Sequence, residues 1–282
     1  MTSPGSPRVA AAAVPGCQHV LSGGLPCQDA VKVRISKKGV LLALADGHGD
    51  AAYPYSDEGA RLAVAVAIDT LEAVLERASG DEHRLGDEAF EHDIALPFKR
   101  RVAFEWNRRV KHHARMIAEV QGKAPSSDLA DVTGDWDEAV QPYGCTLLAC
   151  AITPEFAIWL RLGDGDLLAV DIDGSRRVFA APDKSMGQAT FSLSMRDCVE
   201  HMRVRRSPAS AEFVVLASDG VSDQYDANPT FEEEWGARML ERVHAKGWVD
   251  TVMELPKWLG TIAKDGDDCA VALAWFPRAA RT

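Results

Sequence analysis

Apolar positions in the first part of the chain follow a strand period and then a helix period. Val31–Ile35 alternates apolar and basic residues, and Val40–Ala45 is a wholly apolar run of buried-strand length. Lys37–Gly39 lies between them and predicts a turn. From about 57 to 77, and again from about 96 to 120, apolar residues recur at helical spacing. The pattern predicts a β-hairpin followed by two long helices.

Strand patterns return in the second half of the chain, where apolar runs are again short. The predicted strands lie at 146–152, 156–162, 167–171, 177–180, 212–217 and 270–276, and two further helices at about 231–245 and 249–263. Asp171–Gly174 is a hairpin-turn sequence. Hairpin-linked strands with the helices grouped between them predict an α+β fold of packed antiparallel sheets flanked by helices.

Three segments complete the predicted domain organisation. Residues 1–16 are rich in Pro, Ser, Gly and Ala and predict a flexible lead-in, while 17–282 predicts a single domain. Residues 121–139 lack periodicity and predict a surface loop within that domain. The second long helix has a basic side that includes Lys99, Arg108 and Lys111, and we expect this side to be solvated.

Charge and cysteine usage narrow the functional classes. The 282 residues carry a formal net charge of -11, which disfavours binding to nucleic acid or to an anionic membrane. The six cysteines form no CxxC pair, so reduced thiols in a cytoplasmic protein are a simpler interpretation than a zinc site or a disulfide framework. No apolar run approaches the length of a membrane span.

Aspartates follow three of the apolar strands. Asp46, Asp164 and Asp219 each lie directly after such a strand or one residue later, and the acidic segment 265–268 leads into the last strand. One Asp-Gly pair alone predicts only a turn. Several carboxylates gathered at one sheet edge are costly unless protons or cations neutralise them. Hard oxygen ligands of this kind suit Mg²⁺ or Mn²⁺.

A dinucleotide site is the competing interpretation of the first of these segments. Gly47, Gly49 and Ala52 formally match the Gly-rich fingerprint after a strand. However, Asp46 would place a carboxylate beside the pyrophosphate, and no second parallel strand with a ribose-binding acid follows. The surrounding sequence therefore disfavours a nucleotide-dependent oxidoreductase.

The residues of these motifs and their order along the chain resemble those of the PP2C (PPM) family of metal-dependent protein phosphatases, in its compact bacterial form. The matching segments are Cys27–Ala30, Asp46–Gly49, Gly144–Thr146, Gly163–Asp164, Ser218–Asp223 and Asp267–Val271. The resemblance covers almost the whole chain. It implies a central antiparallel β-sandwich with helices on both faces, and hydrolysis of phosphoserine and phosphothreonine in proteins by a water that two metal ions activate.

The resemblance also implies Mg²⁺ or Mn²⁺ as the cofactor, with two ions and a third, weaker position. The implied metal residues are Asp29, Asp46, Gly47, Asp164, Asp219 and Asp267. Asp46 would bridge both ions and the Gly47 carbonyl would bind one of them. Asp219 and Asp267 would complete the pair, with Asp268 as the alternative to Asp267.

Two aspartates and one histidine have other implied roles. Asp164 would belong to the third metal position, and Asp29 would hold metal-bound water. His48 is the expected general acid, because the seryl or threonyl leaving group needs a proton. The alternative for His48 is a loop histidine without a catalytic role.

The chain departs from the family pattern at a phosphate-binding position. Many members have an arginine shortly before the early acidic motif, and it binds the substrate phosphate. The corresponding segment here, Gln18–Gly24, contains no arginine, and we consider His19 as its substitute. Gln28 replaces an acid that is common in eukaryotic members. Residues 183–206, where a substrate flap is expected, contain no motif that names a substrate.

Two hypotheses from different classes follow. The first is a phosphatase whose partners are a phosphorylated protein substrate and a Ser/Thr kinase or its targets, without nucleic acid or membrane. The second keeps the fold but makes the chain a regulatory, phosphoprotein-binding module with weak catalysis. The missing arginine favours the second hypothesis, and the intact set of Asp46, Asp219, Asp267 and His48 favours the first.

Overall fold

Two antiparallel sheets pack face to face in the computed structural model, which describes residues 5–17, 26–78, 87–122, 138–179, 190–225, 230–263 and 266–277. The strands are β1 (Arg8–Val14), β2 (Ala30–Ile35), β3 (Val40–Ala45), β4 (Leu147–Ile152), β5 (Phe156–Leu162), β6 (Asp166–Asp171), β7 (Arg176–Val178), β8 (Arg203–Pro208), β9 (Ala211–Ala217) and β10 (Cys269–Trp275). One sheet has the order β1-β10-β9-β6-β7 and the other β2-β3-β4-β5-β8.

Helices cover the outer face of each sheet. They are α1 (Ser56–Ala78), α2 (Asp87–Phe90), α3 (Leu96–Val120), α4 (Cys198–His201), α5 (Asp219–Ser222), α6 (Met239–Lys246), α7 (Trp248–Met253) and α8 (Leu255–Ile262). π-Helical turns at Glu91–Ala95 and Glu232–Arg238 lead into α3 and α6, and a 3-10 helix, Glu138–Tyr143, precedes β4. The structure confirms the predicted α+β sandwich with helices on both faces.

The central strands are apolar throughout because both of their faces are covered. In β3, Leu42 and Leu44 point between the two sheets, whereas Leu41 and Ala43 pack against the layer of α1 and α3. In β9, Val215 faces the C-terminal helices and Val214 faces the other sheet. Continuous apolar runs are typical of strands that are buried on both sides.

One buried indole joins the two long helices. Trp106 of α3 is fully buried, and its Nε1 donates a hydrogen bond of 2.9 Å to the carbonyl of Gly59 in α1. Gly59 has no room for a side chain, since a Cβ there would lie 2.0 Å from the carbonyl oxygen of Tyr143. The two helices thereby fix the backbone immediately before Gly144.

The predicted flexible lead-in is wrong for Arg8–Val14, which forms β1. This strand pairs with β10 in register from Arg8 opposite Trp275 to Val14 opposite Cys269. Alanine has little strand preference, so the alanine-rich sequence gave no strand signal. Pairing with a buried neighbouring strand outweighs that weak local preference.

Three other segments differ from their prediction. Arg203–Pro208 forms the edge strand β8, although its polar sequence carries no apolar strand pattern. The predicted helix 249–263 is broken before α8, which has Pro256 in its first turn, whereas Gly247, with a φ of +90°, lies in the predicted gap between the two C-terminal helices. Lys111 is only 2% exposed and does not belong to the solvated side of α3.

Most of the predicted 121–139 loop lies outside the described residues.

Membrane spans were sought among the helices of the described ranges. None of them is both long enough and apolar enough to cross a bilayer.

The contact between Trp106 and Gly59 predicts a specific stability loss. We expect Trp106→Phe to lower the free energy of unfolding by about 1–3 kcal/mol, because a buried hydrogen bond is lost and a small cavity opens. Urea denaturation followed by circular dichroism measures this change. Trp275→Phe is the matched control, since the Trp275 indole nitrogen has no hydrogen-bond partner among the described residues. An equal loss in both variants would contradict the assigned role.

Candidate metal centre

The β3–β4 ladder continues past the end of β3 and fixes the first predicted motif. The Asp46 amide donates to the Thr146 hydroxyl at 3.0 Å, and the Thr146 amide donates to the Asp46 carbonyl at 2.8 Å. Gly47 forms an isolated antiparallel bridge with Cys145, and the His48 amide donates to the Gly144 carbonyl at 3.1 Å. Two motifs about 100 residues apart are therefore backbone neighbours, and the backbone of Asp46 is held rigidly.

Two glycines permit close approaches at this point. A Cβ on Gly144 would lie 2.7 Å from the His48 ring and 2.6 Å from the Tyr53 ring. A Cβ on Gly47 would lie 2.7 Å from the Gln28 carbonyl oxygen and 2.9 Å from that of Ser56. Both glycines are required because the backbone is packed against its neighbours, and not because a turn needs them.

The second sheet contributes its aspartates from the adjacent ends of β9 and β10. The Ser218 amide donates to the Ala270 carbonyl at 3.1 Å, and the Ser218 hydroxyl accepts from the Ala270 amide at 2.9 Å. Asp219 begins α5 directly after this crosslink. A Cβ on Gly220 would lie 2.1 Å from the Asp268 carbonyl oxygen, so the Asp219 and Asp267 segments pack tightly together.

Asp268 has a structural role that distinguishes it from Asp267. Its two carboxylate oxygens accept the backbone amides of Gly16 at 2.6 Å and Gln28 at 2.5 Å. The side chain is buried, and charge-assisted bonds of this kind are strong. Asp268 therefore holds the N-terminal segment against the site, whereas Asp267 is exposed and its carboxylate accepts the neighbouring amide of Asp268 at 2.8 Å. This division favours Asp267 as the metal ligand.

Asp29 carries a buried carboxylate without compensation. Neither of its side-chain oxygens has a hydrogen-bond partner among the described residues, although the residue is only 7% exposed. Burial raises the pKa of Asp29 well above its ordinary value. The Ser218 hydroxyl lies nearby and opposes that rise, although it is not positioned to form a hydrogen bond with Asp29. The charges of Asp268, Asp219 and Asp267 raise the pKa further.

Asp46 and Asp219 face each other across the two sheets. Burial is the largest cause that raises the pKa of Asp46, followed by the charges of Asp29 and Asp219. Burial also raises the pKa of Asp219 to about 6, while a carboxyl–carboxyl hydrogen bond with Asp46 lowers it. Without a cation, the pair is stable only when it retains a proton.

These residues fit a site for hard divalent cations. Within the described part of the chain, no group of three or more His, Cys, Asp or Glu side chains is arranged so that it alone could hold a metal ion. Mg²⁺ usually keeps several waters and takes only one or two carboxylates, so an incomplete protein shell suits it. The unpartnered carboxylate of Asp29 and the mutual repulsion among its acidic neighbours show where positive charge would be stabilised.

Asp164 lies at the edge of the acidic group on the β5–β6 turn. Gly163 has a φ of +99°, and the Thr190 hydroxyl donates a hydrogen bond to the Asp164 carboxylate. Buried Arg161 supports this turn by donating to the carbonyls of Gly163 at 3.1 Å, Asp164 at 3.0 Å and Phe179 at 2.8 Å. The charge of Asp164 acts on the site: it raises the pKa of Asp219 and opposes the lowering of the His48 pKa.

His48 lies between the acidic group and an open cavity. Its ring packs edge-on against Tyr53, with 4.8 Å between the ring centroids. Burial lowers the pKa of His48 below its ordinary value, and the charge of Asp164 opposes this shift. The His48 imidazolium is therefore a stronger acid than usual, but His48 is protonated in a smaller fraction of the protein molecules at neutral pH.

The charges of Asp29, Asp219 and Asp267 all raise the pKa of Asp46, so these carboxylates lie near one another. The charge of Asp164 acts on Asp219. His19 lies outside the described residues.

Sequence reasoning missed the residues that position this group. Arg161 is the clearest example, and a charged residue inside the apolar strand Phe156–Leu162 was the available signal. Ser218 and Thr146 fix the ends of the strands through their hydroxyls. Thr190 gave no signal, because its contact with Asp164 joins residues 26 positions apart, on either side of β6 and β7.

Comparisons with known proteins agree with this architecture. A family model described as "Protein phosphatase 2C" matches residues 16–260. No curated protein sequence gives a significant match. One similar solved structure is a bacterial serine phosphatase, with 14% identity over 96% of this chain and 98% of that chain and a TM-score of 0.56.

Two further solved structures have the same fold. The catalytic domain of the serine/threonine protein phosphatase PstP, in complex with two manganese ions, has 19% identity over 95% of this chain and 97% of that chain, with a TM-score of 0.51. Stp1 from Staphylococcus aureus has 15% identity over 98% and 97%, with a TM-score of 0.52.

The raised pKa of Asp219 predicts how stability depends on pH without metal. Its carboxyl has an ordinary value of 3.8 and about 6 in the folded protein, so the folded state binds more protons between these values. The contribution of Asp219 is therefore fully present below about pH 4 and is lost as the pH rises through about 6. We expect wild-type protein in EDTA to lose about 1–3 kcal/mol relative to Asp219→Asn across this window.

Urea denaturation at several pH values measures this difference. Asp250→Asn, an exposed position on α7, should parallel the wild type throughout. A pH-independent difference between wild type and Asp219→Asn would show that this carboxyl is not perturbed.

Proposed function

Since the chain belongs to the protein phosphatase 2C family and is a metal-dependent protein serine/threonine phosphatase, we propose that Asp46, Asp219 and Asp267 hold two divalent cations, Mg²⁺ or Mn²⁺. The two manganese ions of the PstP structure support this number. The Gly47 carbonyl joins these ligands. Asp29 holds water beside them, and Asp164 belongs to a third, weaker position. The reaction is hydrolysis of phosphoserine and phosphothreonine in proteins.

One observation carries the assignment of these ligands. Carboxylates from the ends of both sheets surround the unpartnered, buried carboxylate of Asp29, and the charges of Asp219 and Asp267 raise the pKa values of both Asp29 and Asp46. The groups that most strongly shift the pKa values of Asp29 and Asp46 are acids and one hydroxyl, and no described cation is among them. An anionic group arranged in this way is stabilised when divalent cations bind.

The protein's own residues orient the reaction. When bound, two such cations supply an activated water and neutralise charge on the phosphoryl group. The Thr146 and Gly144 contacts hold Asp46 and His48 at fixed positions on one extended strand. The His48 imidazolium donates the proton that the seryl or threonyl oxygen takes as it leaves.

Broader features of the biological role follow as part of the same proposal. All six cysteines are free thiols, which supports a reducing cytoplasmic location. A Ser/Thr kinase, or the proteins that it phosphorylates, would supply the substrate, and the enzyme would act in signalling. We place these activities on a single domain, with β1 as its N-terminal edge strand.

The metal assignment predicts a large effect of one conservative substitution. We expect Asp46→Asn to lower kcat/KM by about 10³-fold or more for both p-nitrophenyl phosphate and a phosphothreonine peptide, because the bridging charge is lost. Steady-state assays with Mn²⁺ measure this loss, and EDTA should abolish wild-type turnover. Asp250→Asn serves as the control and should retain full activity. Turnover that survives both EDTA and Asp46→Asn would exclude this mechanism.

The general-acid role predicts that the leaving group decides the effect of a His48 substitution. We expect His48→Asn to lower kcat/KM about 10²-fold for the phosphothreonine peptide, since the alkoxide needs a proton. The loss with p-nitrophenyl phosphate should be much smaller, because nitrophenolate leaves without protonation. Because the pKa of His48 is lowered from its ordinary value of 6.5, wild-type peptide turnover should also fall relative to nitrophenyl turnover as the pH rises through the acidic range below 6.5. Equal losses with both substrates would remove His48 from proton transfer.

A further inference from the structure

Two neighbouring cavities form a groove that leads away from His48. The first has a volume of about 580 Å³ and is lined by His48, Phe191, Met195 and Arg196, among others. The second, of about 560 Å³, lies along the start of α3. Met195 and Arg196 line both cavities, so the two are adjacent. We call the combined surface the Arg196 groove, and it starts at the catalytic histidine.

The uncompensated charges on the Arg196 groove are positive. Arg100 and Arg196 are exposed, and neither makes a hydrogen bond or an ion pair within the described residues. Arg101 also lines the groove but pairs with Glu105, and Asp197 pairs with His201 at 2.9 Å. A pair of free guanidinium groups departs from the acidic character of the chain, whose formal net charge is -11. The charge of this surface is therefore complementary to an acidic ligand.

The groove also offers apolar surface. Phe104 is 39% exposed beside Met195 and Val199. Asn107 lines the second cavity and is only 4% exposed; its Nδ2 donates to the Ala103 carbonyl at 3.0 Å, but its Oδ1 has no partner among the described residues. Because this Oδ1 is buried beneath the surface, the part of the groove that a ligand can reach here is the apolar one at Phe104.

We propose that the Arg196 groove binds the segment of a phosphoprotein substrate that flanks the phosphorylated residue, and that it selects acidic segments with an apolar side chain. Arg100 and Arg196 pair with the acidic side chains, and Phe104 packs against the apolar one. The position of the phosphorylated residue beside His48 rests on the proposed phosphatase function. The arginines discriminate between peptides outside the reacting centre, so they are specificity determinants and not catalytic residues.

Two phosphothreonine peptides test the proposal. They share one sequence with an apolar residue near the phosphothreonine, and differ only in that flanking Asp and Glu residues are replaced by Asn and Gln. Turnover is measured with Mn²⁺, and binding is measured separately in EDTA by fluorescence anisotropy of labelled peptides. We expect the wild type to favour the acidic peptide about tenfold in kcat/KM, chiefly through KM, and this preference to shrink with added salt.

Charge reversal on the groove should remove this preference. We expect the Arg100→Glu/Arg196→Glu double variant to treat both peptides alike or to favour the neutral one, while hydrolysis of p-nitrophenyl phosphate stays at the wild-type level. The single variant Arg196→Gln should reduce the ratio of kcat/KM between the acidic and the neutral peptide about threefold. This milder substitution tests the groove if the double variant is poorly folded. Arg176→Glu is the matched control, because Arg176 is exposed on β7 of the other sheet.

The outcomes separate the groove from the reaction. Turnover of both peptides with equal kcat/KM, or a preference that survives the double variant, would overturn the proposed groove and leave the phosphatase function intact. Preferential binding of the acidic peptide without any turnover would support the groove and contradict the proposed function. Binding of both peptides only through the phosphate group would appear as equal affinities and would also overturn the groove.

Discussion

The arrangement of this protein depends on the repulsion among carboxylates that its two sheets hold at one edge. Asp29, Asp46 and Asp219 are each largely withdrawn from water, and burial together with neighbouring carboxylates raises the pKa of each. Such a group destabilises the fold unless it retains protons or binds cations. The stable strands beneath it supply the rigidity that keeps these charges together.

The backbone holds the acidic group from several directions. Thr146 extends the β3–β4 ladder to Asp46, Ser218 joins β9 to β10 beside Asp219, and Asp268 draws Gly16 and Gln28 inward. The carboxylates can therefore neither separate nor turn outward to relieve their repulsion. Because the carboxylates are already held in place, metal binding requires little rearrangement of the protein. His48 is positioned by the same rigid extension of β3.

Much of the architecture follows from local patterns in the sequence. The long helices and the central strands were predictable, because continuous apolar runs and helical spacing report burial on both faces or on one. β1 and β8 were not, since their alanine-rich and arginine-rich sequences become strands only through pairing with β10 and β5. The identities of the acidic residues at the site came from ordered motifs. Their supports, such as Arg161, depend on contacts that no local pattern encodes.

The choice between Asp267 and Asp268 shows the same limit. Adjacent aspartates are equivalent in a sequence, and only the amides of Gly16 and Gln28 distinguish them. The substrate groove is a further case: Arg100 and Arg196 are far apart along the chain and look like ordinary surface charges. Packing of the segment after Ser192 near the start of α3 makes them neighbours.

Calorimetric titration of the metal-free protein with Mn²⁺, in two buffers of different ionisation enthalpy, tests the central claim most directly. If the carboxylates retain protons until cations replace them, binding near pH 6 will release protons, and this release will diminish at higher pH. Binding without proton release at any pH, or the absence of binding to well-folded protein, would contradict the account.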